Sequence, residues 1–132
     1  MPTIQIALQQ VGPATTEASI RTHKVLVDRP AAKGGDDKGP MGGELLLAAL
    51  GGCFMSNLLA AARARQADIS NAYTEVIGTL GENPGRFTAI EMVVSADGAD
   101  AELLGKLVTI AERGCITANT LRDAVTLTVR TV

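Results

Sequence analysis

Read for apolar spacing alone, the chain opens on a strand pattern. Thr3 to Gln9 alternates Ile4, Ile6 and Leu8 with polar or small neighbours, the period-two signature of a β-strand. Gly12-Pro13 interrupts it. Ala18 to Asp28 is again β-rich and predicts a bent strand or a hairpin, closed by Pro30. The stretch "AAKGGDDKGPMGG" that follows is a glycine-rich, charged loop, in which Asp36-Asp37 reads as solvated surface. It lacks the GK[ST] ending of a phosphate-binding loop. From about Gly43 to Ala67 the chain is almost wholly apolar and free of proline, which predicts a long helix with Arg63 and Arg65 near its negative end.

Two further strands follow, Ile69–Leu80 and Arg86–Ser95, joined by "GENPG", whose Pro84-Gly85 suits a turn. Asp100 is a fitting N-cap for the next helix, in which Leu103, Leu104, Leu107, Val108 and Ala111 recur at helical spacing. Gly114 is expected in the left-handed position that ends such a helix. After Cys115 and a short irregular or helical piece, Val125, Leu127 and Val129 alternate in a closing strand. This order of strands, long helix, hairpin, helix and strand predicts one α+β domain over residues 1–132.

Leu45 to Ala62 is long and apolar enough to be weighed as a membrane span. Gly51, Gly52, Ser56 and Asn57 lie within it, and amphipathic elements surround it, so a buried central helix is the better reading and no membrane partner is expected. The start "MPTIQIALQQ" carries no signal-peptide pattern, and a cytoplasmic location is expected. The net charge is −2 and aromatic residues are scarce, which argues against a nucleic-acid partner. His23 is the only histidine, and the two cysteines form no CxxC motif, so neither a metal site nor a cofactor is expected.

The cysteines are the chemistry left to explain. Cys53 follows Gly51-Gly52 inside the long helix, and Cys115 follows a helix end. A lone buried cysteine packs as a small hydrophobe. To react it must ionise, and burial opposes that. The residues sharing its helix face are Leu46, Ala49, Leu50, Ser56, Asn57 and Ala60, none of them charged. Gly51 and Gly52 allow close packing, or leave room beside the thiol.

The motifs "HKVLVDRP", "GGDDKGP", "GELLLAALGGC" and "AERGCITANTL" occur in the order found in the OsmC/Ohr family, the osmotically inducible and organic hydroperoxide resistance proteins. The chain resembles that family over nearly its whole length, and looks more like its short OsmC-like branch. The resemblance implies an antiparallel sheet wrapped around a long central helix, in an intertwined homodimer. It implies a cysteine-based peroxidase acting on organic hydroperoxides and hydrogen peroxide, with Cys53 attacking, Cys115 resolving and a dithiol, lipoyl-type or other, as reductant. Leu46, Leu50, Phe54 and Met55 would then favour an alkyl hydroperoxide.

In active members of the family an arginine from the N-terminal strands meets the thiolate, and a glutamate ten residues before the cysteine holds that arginine. Here that position is Gly43; Glu44 is nine before Cys53 and faces roughly the opposite way on a straight helix. Between Gln9 and Glu17 there is no arginine, which leaves Arg21 and Arg29 as candidates and His23 as a weaker one. The alternative reading keeps the fold without peroxidase activity, as a stress-associated binding or redox-sensing protein.

Overall fold

The computed structural model describes residues 1–132 and divides into two compact units, Met1–Leu46 and Leu47–Val132. In the first, strands β1 (Ala7–Gln10), β2 (Thr16–Ile20) and β3 (His23–Val27) form an antiparallel sheet in chain order. The expected strand over residues 3–9 is therefore shorter and shifted. Pairing begins at Ala7↔Ser19, and Ile4 and Ile6 precede the ladder with their side chains exposed. The 18–28 stretch is a hairpin, and Arg21 takes a left-handed backbone conformation (φ +56°) at its turn.

Asp28 organises the loop after β3. Its carboxylate is 3% exposed and accepts four hydrogen bonds: from the Thr15 hydroxyl at 2.7 Å and from the N–H groups of Arg29 (2.7 Å), Asp36 (3.3 Å) and Lys38 (3.2 Å). The loop closes tightly enough that a side chain at Gly35 would fall on the Arg29 carbonyl. The Thr15 hydroxyl first, then the three N–H donors, hold the Asp28 carboxyl below its ordinary value of 3.8 against the opposing effect of burial. A lowered folded value means that this stabilisation is complete above 3.8 and is lost as pH falls through the folded value. Asp28→Asn should therefore destabilise the protein at neutral pH, and the gap between variant and wild type in urea unfolding should shrink on acidification below pH 3.8.

Helix α1 (Gly42–Ala64) starts with Glu44 reaching back to accept the Met41 N–H at 2.9 Å, one half of a capping box, which also places negative charge at the positive end of the helix. In the second unit, α1 is followed by β4 (Ser70–Gly81), β5 (Arg86–Asp97), α2 (Ala101–Gly114), α3 (Ile116–Leu121) and β6 (Thr126–Thr131). Asp100 caps α2 as expected, accepting the Leu103 N–H at 2.8 Å. The hairpin β4–β5 is antiparallel, but β5 and β6 run parallel. This corrects the expectation of an antiparallel sheet. The chain leaves β5 and returns through two helices, and such a crossover brings the next strand back in the same direction.

The core of this unit draws Leu50, Phe54, Leu58, Ala61 and Ala62 from α1, Ile90, Met92 and Val94 from β5, and Leu104, Leu107, Val108 and Ala111 from α2. Helix α1 is long and apolar enough to cross a membrane by length and composition. One of its faces lies in this core; Leu46 and Leu59 on other faces are exposed. Gly51 lets α1 approach β4, because a methyl group there would stand 2.9 Å from the Val76 side chain. Gly52 faces open space.

Candidate functional site

Two thiols far apart in sequence meet in the second unit. Cys53, midway along α1, is half-buried against the core, and Cys115 is fully buried between α2 and α3. Both are free, and each bears on the ionisation of the other.

The local fold at Cys115 differs from its expected place at a simple helix end. Gly114 is still helical and is not left-handed; the glycines with positive φ are Gly34 and Gly98. The backbone becomes extended at Cys115 itself (φ −80°, ψ 111°) and re-enters a helix at Ile116. The Cys115 sulfur accepts the Ala118 N–H at 3.3 Å and so caps α3. Sulfur is a weak acceptor, and further bonds brace this short helix. Asn119 donates to the Arg113 carbonyl at 3.1 Å, and Arg122 donates to Asn119 (2.8 Å) and to Glu112 (3.3 Å). Ala118 is buried in the core. The first turn of α3 is thereby fixed beside Cys53.

That turn supplies what the α1 face lacks. Burial pushes the Cys53 thiol up, but four hydrogen bonds act against it: from the Thr117 N–H, the Cys115 thiol, the Thr117 hydroxyl and the Ile116 N–H. Together they bring Cys53 below the ordinary thiol value. Cys115 moves the other way. Burial raises it most, and its bond to Cys53 and the repulsion from an ionised Cys53 raise it further, against the pull of the Ala118 and Thr117 N–H groups. One thiol is thus prepared to ionise and its neighbour to stay protonated. The donors that oppose burial here are uncharged.

The other anticipated site residues all belong to the first unit. Arg21 is exposed at the β2–β3 turn. Arg29 is exposed after β3, its backbone bonded to Asp28 and Asp37. Glu44 caps α1. Thr117 is the residue that sequence reasoning missed. The available signal was a cysteine able to cap a second short helix, which would turn that helix's first N–H groups and the Thr117 side chain toward whatever faced them.

Fold and site together define an α+β protein with a pair of unlike, free thiols set between a long helix and the start of a short one. The model of the OsmC-like protein family matches residues 35–130, and the chain belongs to that family. The fold is similar to that of an OsmC-like protein from Mycoplasma pneumoniae (TM-score 0.85, 18% identity, covering 99% of this chain and 96% of that one). It is also similar to an organic hydroperoxide resistance protein OsmC from Legionella pneumophila (TM-score 0.76, 16% identity, 99% and 97% covered). The hydroperoxide resistance protein OhrB of Bacillus subtilis superposes at a TM-score of 0.72 with 21% identity and 98% of each chain covered. No curated protein matches the sequence.

Proposed function

We propose that this protein is a thiol peroxidase that reduces organic hydroperoxides. The observation that carries the reading is the meeting of Cys53 and Cys115 as unlike thiols, one pulled below and the other pushed above the ordinary value. The Cys53 thiolate attacks the terminal peroxide oxygen and the O–O bond breaks. The alcohol leaves with a proton, and Cys53 becomes a sulfenic acid. Cys115 then displaces its hydroxyl as water and forms a disulfide. An external dithiol restores both thiols by exchange. Leu50 and Phe54 lie in the core beside this site, and Met55 packs against it, surroundings that suit an alkyl peroxide.

The catalytic unit is a homodimer. Leu46 and Leu59 on α1 and Ile4, Ile6 and Leu8 in the N-terminal segment are exposed apolar side chains that a second copy would cover. Within that assembly Arg21 or Arg29 is the cation that would approach the thiolate, with Glu44 as a carboxylate able to orient it.

The test is consumption of an alkyl hydroperoxide in the presence of a dithiol, wild type against Cys53→Ser. Wild type should turn over and Cys53→Ser should fall to the buffer rate. Equal rates for the two proteins, with alkyl and with hydrogen peroxide, would reject the reading.

A further inference from the structure

The geometry points to Met55 as a modification site: a hydroperoxide oxidises its thioether to the sulfoxide, and the Thr74 hydroxyl holds the product in place. Met55 belongs to the side of α1 that packs on β4. Along that seam Leu47 meets Gly78, where a methyl group would stand 3.2 Å from the Leu47 side chain, and Gly51 meets Val76. One helical turn further on, the Thr74 hydroxyl donates to the Met55 sulfur at 2.9 Å. Thr74 is the polar side chain in an otherwise apolar row, and this is the one hydrogen bond its hydroxyl makes. Met55 and Thr74 are both half-buried, which leaves the pair within reach of a small oxidant. Met92, across the same seam on β5, is fully buried.

The step is a two-electron oxygen transfer. A lone pair of the Met55 sulfur attacks the terminal oxygen of the hydroperoxide. The S–O bond forms as the O–O bond breaks, and the proton on that oxygen passes to the departing alkoxide, which leaves as an alcohol. Sulfur is oxidised, the peroxide is reduced, and no thiol or external reductant is consumed. The thioether has two lone pairs, and the Thr74 bond engages one of them. In a wholly apolar seam the new oxygen would be an unpaired polar group, and methionine oxidation disrupts packing for that reason. Here a donor already lies against the sulfur. A thioether is a weak acceptor, whereas a sulfoxide oxygen is a strong one. The hydroxyl therefore gains more from the oxidised side chain than from the reduced one. Two residues separate Met55 from Cys53 and place them on different sides of α1, so the thioether reacts apart from the thiol pair.

The test starts with excess hydrogen peroxide, after which proteolytic peptides are weighed for one added oxygen at each of the four methionines. Met55 should convert completely while Met92 stays unmodified. Urea unfolding of oxidised and untreated samples then reads the role of Thr74. Oxidation should raise the unfolding equilibrium constant about tenfold more in Thr74→Val and in Thr74→Ala than in wild type, the scale of one hydrogen bond to a buried polar group. Thr74→Ser should behave as wild type, and adding Met55→Leu to Thr74→Val should abolish the excess. A Met55 peptide left unmodified while those of Met1 and Met41 convert would overturn the site. Equal effects of oxidation in wild type and in both hydroxyl-free variants would overturn the role of Thr74. The oxidation needs no turnover at the thiols. A protein inactive as a peroxidase should still show both results, so failure of the peroxidase reading is seen separately.

Discussion

Cys115→Ser should consume one equivalent of alkyl hydroperoxide per chain and then stop, leaving a sulfenic acid on Cys53 that a dimedone probe captures. The first step needs only the Cys53 thiolate, and the donors from Ile116 and Thr117 that hold it remain in the variant. The second step needs the Cys115 sulfur, which no other cysteine can replace, because the chain has only these two. Without it, and with no more than one equivalent of peroxide per chain, the sulfenic acid persists. The readout is the stoichiometry of peroxide lost in the absence of reductant, followed by intact mass. A serine hydroxyl can still cap α3, since serine is a favoured N-cap. The loss should therefore appear in turnover and not in folding. Continued turnover at the wild-type rate would remove Cys115 from the mechanism.

The largest expected effect on stability is at Phe54. Its side chain is fully buried among Leu50, Leu58, Ile90, Met92 and Leu107, and it lies one residue from Cys53 on α1. Phe54→Ala should cost about 3–5 kcal/mol, the transfer free energy of the ring together with the cavity left behind. Against a typical domain stability of roughly 5–15 kcal/mol this is a large share. Urea unfolding followed by far-ultraviolet circular dichroism measures it. A cost under about 1 kcal/mol would mean that the surrounding aliphatic side chains collapse into the space more completely than is usual for a core ring.

Elements with strong periodicity were legible in the sequence. The Leu103–Ala111 repeat and its Asp100 cap predicted α2, and the β4–β5 hairpin and the length of α1 followed from apolar spacing and turn chemistry. Where two signals compete, local pattern fails. Gly114 looked like a helix terminator, yet the terminating geometry falls on Cys115, whose extended backbone ends α2 and caps α3 together. Ile4 and Ile6 carry a strand pattern but lie outside the ladder, since alternation reports a preference for one buried face and not whether a neighbouring strand is in reach. The parallel pairing of β6 depends on the path of two intervening helices, which alternation within a strand does not encode.

The candidate site divides the same way. The two cysteines were legible as the chemistry-bearing residues, because they are the only thiols and lie in family motifs. The groups that ionise Cys53 were not, because they come from a turn distant in sequence and two of them are backbone N–H groups of Ile116 and Thr117. Backbone donors have no sequence signature, and a threonine reads as surface until the helix that aims it is known.

The most direct test of the account is the product of a single oxidation. One equivalent of alkyl hydroperoxide added to the fully reduced protein should remove both free thiols and yield one covalent species, in which digestion and mass spectrometry find the Cys53 peptide joined to the Cys115 peptide of the same chain. Two thiols remaining after the peroxide is added, or a disulfide formed only between Cys53 residues of different chains, would contradict it.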